Sequence, residues 1–325
     1  SSVQVPLAST FLLSTKAGKE AWVEPVVEGN SYRFEVQVAD GKRTPPASAK
    51  AGTKVGRGGN FQCLLSDTAV PVGYIREEGK AGRMGQRLLA VVAEGKSGRV
   101  YLAPSATDEE VALSAVPEWG PDLPINHNPR DIRTQLYGLM NYRDLFTPRQ
   151  LVALTTFSDL VGEARDKVRA DAVKSGMAGD GRGLDAGGDA ATAYAEAVSV
   201  FTAFAVDKAS DYWSSVCSWH SSKELIRNTF GRQAIPMTWD YAETNVFSES
   251  AGNVSSAFEW AKKAIELFPS EPNGHVSQAD AQRQKISKGK VVSTDPPYYD
   301  NIGYADLSDF FYIWLSRALR ETFPS

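Results

Sequence analysis

Residues 294–299 read Thr-Asp-Pro-Pro-Tyr-Tyr, and they place a carboxylate, a rigid dipeptide and an aromatic ring in immediate succession. The short apolar run at 290–294 predicts a buried strand that delivers Asp295 at its end. In open α/β sheets, ligands bind beyond the carboxyl ends of the strands. These residue types suit a planar base with an exocyclic amino group, because a carboxylate accepts amino hydrogens and a ring stacks on a base. Successive prolines also punctuate ordinary turns, so a turn after a strand is the alternative.

The sequence continues from 300 to 315 as Asp-Asn-Ile-Gly-Tyr-Ala-Asp-Leu-Ser-Asp-Phe-Phe-Tyr-Ile-Trp-Leu. Together with the motif at 295–298, this run closely resembles a stretch of a family of large adenine-specific DNA methylases. The resemblance covers most of the chain, including Glu-Gly-Lys-Ala-Gly-Arg-Met-Gly at 78–85, Leu-Phe-Thr-Pro-Arg-Gln-Leu at 145–151 and Gly-Arg-Gln-Ala-Ile-Pro-Met at 231–237. It implies an enzyme that transfers a methyl group from S-adenosylmethionine to N6 of adenine in DNA.

The resemblance also implies a role for each motif residue. Asp295 and the backbone carbonyl of Pro296 would accept the two hydrogens of the amino group, so that the nitrogen lone pair points at the donor methyl. Pro297 would keep the backbone rigid, and Tyr298 would stack on the base once it is flipped out of the duplex. Placement and electrostatic stabilisation would supply most of the catalysis. Asp at the first motif position is usual for adenine, whereas relatives specific for cytosine N4 more often carry Ser.

The resemblance further implies a cofactor site of which the chain holds one part. Asp280 precedes the motif, where methyltransferases often place an acidic residue near the cofactor's adenine; a surface Asp is the alternative. The Asp-Pro-Phe-x-Gly-x-Gly turn of the family is absent from the 325 residues. The glycine-rich stretches at 56–59 and 179–183 do not follow apolar strands, so they are predicted linkers. We therefore expect a central segment of a longer polypeptide, whose upstream part completes the cofactor site.

Many members of the family carry a zinc ribbon in the N-terminal part of this region. Here Cys63 is followed at the second ligand position by Ser66. Tetrahedral zinc needs four ligands, and His127 and His220 have no metal-like spacing. The sequence therefore predicts a degenerate ribbon without metal. Cys217 lies in an aromatic-rich segment and is predicted to be a core residue.

The net charge of −4 offers no global basic surface for nucleic acid, so DNA contacts would come from local patches. Two basic clusters are candidates. Lys223, Arg227 and Arg232 are interleaved with aromatic residues, and Arg283, Lys285, Lys288 and Lys290 lie beside the predicted motif strand. Phosphate contacts and base stacking use these residue types. The alternatives are helix packing with solvated ends for the first cluster and a solvated loop for the second.

Composition excludes several other classes of protein. Apolar residues make up 42% and charged residues 23% of the chain, which is ordinary for a globular protein. We find no N-terminal signal and no apolar run of the roughly 18 residues that span a bilayer, so no membrane partner is expected. Two cysteines cannot build a disulfide framework, which indicates a reducing, cytoplasmic location.

Hydrophobic periodicity predicts three regions: a β-rich module at 1–104, a linker with a helical insertion at 105–235, and a C-terminal part at 236–325 that carries the motif. Strands are predicted at 10–14, 21–27, 32–38, 88–93, 99–102 and 290–294, and a loop at about 40–60. In the strand at 32–38, apolar and polar residues alternate, which predicts one buried face. Helices are predicted near 107, from Thr147 and Pro148 onward, and at 190–215, 252–268 and 305–321. The apolar face of the helix after Pro148 is predicted to consist of Leu151, Leu154, Phe157, Val161, Ala164 and Val168, and that of the helix at 190–215 of Tyr194, Val198, Phe201, Ala205 and Tyr212.

The predicted fold class is α/β, with an α+β appearance within this segment. It would be part of a Rossmann-like methyltransferase core interrupted by the β-rich module and the helical insertion. Alternative functions are a non-catalytic DNA-binding or scaffold module that retains the motif, and methylation of cytosine N4, of RNA or of a protein glutamine. Glutamine methylases use Asn-Pro-Pro-Tyr, so the Asp here argues against that last substrate.

Overall fold

The computed structural model describes residues 3–268, 274, 276–296, 299 and 302–324. The strands are short, and they form four separate antiparallel sheets with the orders β1-β2-β3, β4-β5-β6, β7-β8 and β10-β9. The strands are β1 (Leu12–Ser14), β2 (Ala21–Glu28), β3 (Ser31–Val38), β4 (Lys54–Val55), β5 (Asn60–Gln62), β6 (Ala69–Val70), β7 (Val91–Gly95), β8 (Gly98–Leu102), β9 (Ser218–His220) and β10 (Leu225–Arg227).

The four longest helices lie in the C-terminal two thirds of the described chain. They are α1 (Ala47–Ala51), α2 (Val72–Lys80), α3 (Ala106–Leu113), α4 (Pro148–Lys174), α5 (Ala191–Ser210), α6 (Val254–Glu266) and α7 (Tyr304–Ala318), with 3-10 helices at Thr134–Tyr137 and Tyr142–Leu145. Among the described residues, no helix combines the length and apolar character needed to cross a membrane.

The first sheet packs its inner face around a small core of its own. In β3, Phe34 is buried and Arg33 and Glu35 point outward, as the predicted alternation requires. Phe34 packs with Phe11 and Trp22, and Ala49 of α1 closes this cluster. The stretch 40–60, predicted to be a loop, instead contains α1, β4 and the first residue of β5.

Helices α4, α5 and α7 form the main core. Thr147 caps α4, and Leu151, Leu154 and Val161 on its predicted apolar face are buried. The buried face of α5 differs from the prediction, because it consists of small residues whereas Tyr194 is 51% exposed. Small side chains let the α5 backbone approach α4 and α7 closely, and the larger residues of α5 therefore lie toward its outer side.

Helix α7, which follows the motif in sequence, lies at the centre of this core. Phe310 and Trp314 are essentially inaccessible to solvent. The Phe146 ring contacts both, at centroid distances of 5.4 and 5.2 Å. Burying an aromatic side chain of this size stabilises the fold by about 1.5–3 kcal/mol. The position of α7 is therefore fixed by packing.

Residues of the N-terminal module contact the segment that surrounds β9 and β10. Trp219 Nε1 donates to the carbonyl of Leu13 at 2.7 Å, and the Thr15 amide donates to the carbonyl of Ser221 at 3.2 Å. Nearby, Ser9 Oγ donates to the Asp240 carboxylate at 2.6 Å. These bonds join regions that are about two hundred residues apart in sequence.

The mixture of helices and strands is confirmed, but the predicted strand at 290–294 is wrong. Residues 291–296 have no regular secondary structure, and Val291 and Val292 are exposed. In a strand, two adjacent valines place apolar side chains on both faces. Such a strand is stable only where other elements of the protein cover both faces of its sheet. No two of the ten described strands pair in parallel, so the described residues do not themselves contain a Rossmann-like sheet.

Candidate functional site

Asp295 and Pro296 lie in an exposed, irregular segment, whereas Pro297 and Tyr298 lie outside the described residues. Within the described part of the chain, the Asp295 carboxylate has no hydrogen-bond or ion-pair partner. Tyr299, which follows directly, is 95% exposed and has a φ of 54°. Residues with side chains rarely adopt this left-handed conformation, and such strain concentrates at functional sites. The segment thus presents a solvent-accessible carboxylate.

The start of α7, a few residues after the motif, is held by two asparagines. Asn126 Nδ2 donates to Asp306 Oδ1 and Asp309 Oδ2, both at 3.2 Å. Asn128 Nδ2 donates to Asp306 Oδ2 at 2.9 Å and to Asp131 Oδ2 at 3.2 Å. An ionised carboxylate only accepts hydrogen bonds, and an amide nitrogen has two hydrogens to donate. The two asparagine side chains therefore match the carboxylates that surround them. These bonds attach the α7 N-terminus to the loop at 124–131.

Two further contacts make this attachment tight. A Cβ atom on Gly303 would lie 2.6 Å from Asn128 Nδ2, so a larger residue would displace this amide group from its present position. The fully buried Tyr142 donates its hydroxyl to the carbonyl of Asp306 at 2.8 Å. Burial, together with the charges of Asp309 and Asp306, raises the pKa of Tyr142. The hydroxyl therefore remains a donor throughout the physiological pH range.

The sequence analysis did not identify Asn126, Asn128 or Tyr142. The local pattern around the two asparagines is Asn-His-Asn-Pro at 126–129. Asparagine before proline is common in turns, and that region was accordingly interpreted as a linker. Its partners in α7 lie 178–183 residues away in the sequence, so no local pattern indicates the contact.

The first basic cluster adjoins this site through the segment that follows β10. Phe230 contacts Phe310 and Phe311 of α7, with centroid distances of 5.2 and 5.1 Å. The Ile235 amide donates to the carbonyl of Asp131 at 2.8 Å. The loop that carries Arg232 therefore lies between α7 and the loop at 124–131.

All three basic side chains of this cluster are solvent-exposed. Lys223 lies in the turn between β9 and β10, Arg227 ends β10, and Arg232 lies in the following loop. Among the described residues, none of the three forms an ion pair. Their exposure fits phosphate contacts and equally fits the solvated ends of the alternative interpretation, so the DNA-binding role of this cluster stays a prediction.

The second basic cluster and Asp280 lie in a separate series of turns at 276–296. Arg283, Lys285 and Lys288 are exposed. Asp280 Oδ1 accepts from the Gln282 amide at 2.9 Å, and Asp280 Oδ2 pairs with Arg283 Nε at 3.6 Å. Within the described chain, this segment forms hydrogen bonds only with itself. Asp280 is thus found in a solvated turn, and the described residues around it do not form a cofactor pocket.

The cysteines lie in different environments. Cys63 is buried directly after β5, where a hydrogen bond from Ser66 lowers the pKa of its thiol. Cys217 is fully buried in the core, as predicted, and burial raises the pKa of its thiol. Within the part of the chain that the structure describes, no group of three or more His, Cys, Asp or Glu side chains could hold a metal ion. The metal-free ribbon stays a prediction.

The candidate site therefore consists of an exposed carboxylate on an irregular segment, a helix start that is pinned by Asn126 and Asn128, and an adjoining exposed loop with Arg232. The arrangement can offer hydrogen-bond acceptors to a ligand at Asp295 and positive charge to an anion at the loop. Comparison with family models, with curated protein sequences and with solved structures finds no match to this chain.

Proposed function

We propose that this chain is a segment of a DNA methyltransferase that uses S-adenosylmethionine and modifies N6 of adenine. The observation that carries the proposal is the Asp-Pro-Pro-Tyr motif at 295–298, followed by the matching run into α7. The exposure of Asp295 supports it, because a carboxylate that binds a base must be accessible. The hydrogen bonds from Asn126 and Asn128 to Asp306 support the proposal as well, because they fix the start of the helix that follows the motif.

The chemistry follows from the electronic structure of the amino group. The nitrogen lone pair of adenine is delocalised into the ring, so the nitrogen is a poor nucleophile. Asp295 and the carbonyl of Pro296 accept hydrogen bonds from the two N–H groups of the amino group. These bonds favour a tetrahedral nitrogen whose lone pair is available for methyl transfer. Tyr298 stacks on the base that has been flipped out of the duplex. Asp at this position favours adenine over cytosine N4.

The cofactor is assigned to a site that this segment does not complete. S-Adenosylmethionine supplies the methyl group when it is bound. Asp280 lies in an exposed turn with Arg283, and the described residues do not surround it with a pocket. The proposal therefore includes an upstream part of the same polypeptide, a Rossmann-like core to which both parts contribute, and a cytoplasmic location.

Duplex DNA is proposed to contact the two exposed basic clusters. Arg232 follows Phe230, which contacts α7, and Lys223 and Arg227 lie on the preceding β9–β10 hairpin. Arg283, Lys285 and Lys288 precede the motif in sequence. The net charge of −4 makes non-specific attraction weak, so these local patches would supply the phosphate contacts.

A second candidate function is a DNA-binding module without catalytic activity. The solvated turn at Asp280 favours it, because that residue lacks the surroundings of a cofactor contact among the described residues. Methyl transfer by the complete polypeptide distinguishes the two functions.

The test uses tritiated methyl transfer by the complete polypeptide to duplexes whose target strand contains adenine or, separately, only cytosine. Asp295→Ala should reduce transfer on the order of a hundred- to a thousandfold, because an oriented acceptor is lost from the site. Tyr298→Ala should weaken capture of the base, whereas Tyr298→Phe should be mild because it retains the stacking face. Ser293→Ala is the matched control, because Ser293 is an uncharged and exposed residue of the same segment.

Near-normal turnover by Asp295→Ala would show that the motif is a structural turn. DNA binding without any transfer by the wild-type protein would instead support the non-catalytic module. Transfer to cytosine alone would assign the enzyme to N4 of that base.

A further inference from the structure

A groove of about 550 Å³ lies between α5 and α6, and it shares no residue with the site at the start of α7. Its volume falls in the range of about 300–1,000 Å³ that is typical of ligand sites. Its lining includes Phe204, Lys208, Tyr212, Asn253, Ser256 and Trp260.

The groove is walled by exposed aromatic rings. Trp260 is 64% exposed and Phe204 is 48% exposed, although both are large apolar side chains. Phe204 and Lys208 are four residues apart and share one face of α5, and Tyr212 follows two residues after the end of this helix. Exposed apolar surface that is concentrated in a concave site indicates a binding role. The Trp260 and Phe204 side chains are therefore accessible to a ligand in the groove.

Two lysines flank these rings. Lys208 Nζ lies 5.8 Å from the centroid of the Tyr212 ring, and Lys263 Nζ lies 5.7 Å from that of the Trp260 ring. In the described part of the chain, neither lysine pairs with a carboxylate. The adjacent Lys262 differs, because it pairs with Glu266 at 4.0 Å.

The neighbouring carboxylate on α5 does not offset this positive charge. Burial, with a contribution from Asp211, raises the pKa of Asp207 to about 8. Asp207 is therefore mostly protonated at neutral pH. The groove consequently offers aromatic rings beside two lysines that form no ion pair within the described residues, which is complementary to a molecule with flat rings and anionic groups.

The polar groups of the groove are already engaged within the protein. Asn253 Oδ1 accepts from the Ser256 amide at 2.8 Å, and Asn253 Nδ2 donates to the carbonyl of Ser250 at 2.6 Å. Ser256 Oγ donates to the carbonyl of Asn253 at 2.9 Å. Few groups remain to read the edges of a base, so recognition would depend on stacking and charge rather than on sequence.

We propose that this groove binds a segment of single-stranded DNA, with bases stacked on Trp260 and Phe204 and phosphates beside Lys208 and Lys263. Aromatic platforms next to basic side chains are the usual means of sequence-tolerant binding to single strands. The inference goes beyond the proposed function, since it assigns a second nucleic-acid site away from Asp295. It rests on the proposed function only for the choice of DNA over RNA.

The test measures the fluorescence anisotropy of a labelled oligothymidylate of about 15 nucleotides with the 325-residue chain at low salt. Trp260→Ala should weaken binding about tenfold or more, because a stacking platform is lost. Lys263→Ala should also weaken binding, and it should lower the slope of log Kd against log salt by about 0.7.

Lys262→Ala is the matched control, because Lys262 is the neighbouring lysine and pairs with Glu266 instead of flanking Trp260. It should bind within about twofold of the wild type, since its charge is offset by a carboxylate. Trp260 is largely exposed, so its variant should retain the wild-type circular dichroism and melting temperature. Absence of methyl transfer by the wild-type protein would refute the proposed function without changing oligonucleotide binding by the groove, so the two failures give different results.

Several outcomes would overturn the proposal. Equal effects of Lys262→Ala and Lys263→Ala would show that the groove is not the binding site. Equal affinity for thymidine monophosphate would indicate a small-molecule pocket, and tighter binding of the matched RNA or of duplex DNA would assign a different ligand. Absence of binding by the wild-type chain at low salt would also refute it.

Discussion

Replacing Glu224 should loosen the attachment of the N-terminal module to the segment of β9 and β10. Its buried carboxylate accepts hydrogen bonds from Ser14 Oγ and Tyr101 Oη, both at 2.7 Å, and from Lys16 Nζ. Its φ of 53° places the backbone in the left-handed region. Three donors from the module thus converge on one acceptor beyond it.

The magnitude follows from the pKa of this group. Burial alone would raise the pKa of Glu224, but hydrogen bonds from Lys16, Tyr101 and Ser14 outweigh it and lower the value from 4.5 to about 2. At about 1.4 kcal/mol per pH unit, this corresponds to about 3 kcal/mol of stability. The Lys16 side chain is 49% exposed, so solvent screens its share. We therefore expect Glu224→Gln to cost about 2 kcal/mol at neutral pH.

The pH dependence has a definite sign. The folded-state pKa is depressed, so the stabilisation is fully present above pH 4.5 and is lost as the pH falls toward 2. The difference in unfolding free energy between wild type and Glu224→Gln should accordingly shrink in acid.

Urea unfolding near neutral pH and near pH 3, followed by circular dichroism, measures this difference. Glu35→Gln is the control: Glu35 is an exposed carboxylate that pairs with Arg33, and its loss should cost less than about 0.5 kcal/mol. A Glu224→Gln cost that is equal at both pH values, or no larger than that of the control, would refute the reasoning.

Asp207→Asn tests a carboxyl group whose pKa is raised rather than lowered. Burial raises the pKa of Asp207 from 3.8 to about 8, so the wild type loses stability as the pH rises between these values. The variant should melt at a higher temperature than the wild type near pH 9, with a smaller advantage near pH 5; an advantage that does not change with pH would contradict this. Thr147→Ala removes the cap of α4, which accepts from the Gln150 amide, and should cost about 1 kcal/mol in urea unfolding. Thr156→Ala, on an exposed position of the same helix, should cost less, and equal costs would contradict the capping role.

Local chemistry determined the elements whose signals lie within a few residues. Thr147 and Pro148 mark the start of α4, because a hydroxyl caps the helix and proline fits its first turn. The alternation around Phe34 identifies β3. In both cases the deciding contacts involve neighbours in the sequence, so the pattern alone carries the information.

The apolar run at 290–294 shows where this reasoning stops. Apolar residues favour a strand only if other elements cover both of its faces, and the sequence does not show whether they do. Here the segment is exposed, so its apolar content did not produce a strand. The face of α5 that packs inward was likewise decided by which side chains allow close approach to α4 and α7.

Tertiary structure alone decided the contacts of the candidate site. Asn128 meets Asp306 across 178 residues, and Glu224 meets Ser14 across 210. Asparagine and glutamate are common surface residues, and no periodicity distinguishes those that become buried partners. Their pairing depends on how α7 and the strands pack, because the removal of water around a polar group makes a complementary partner necessary.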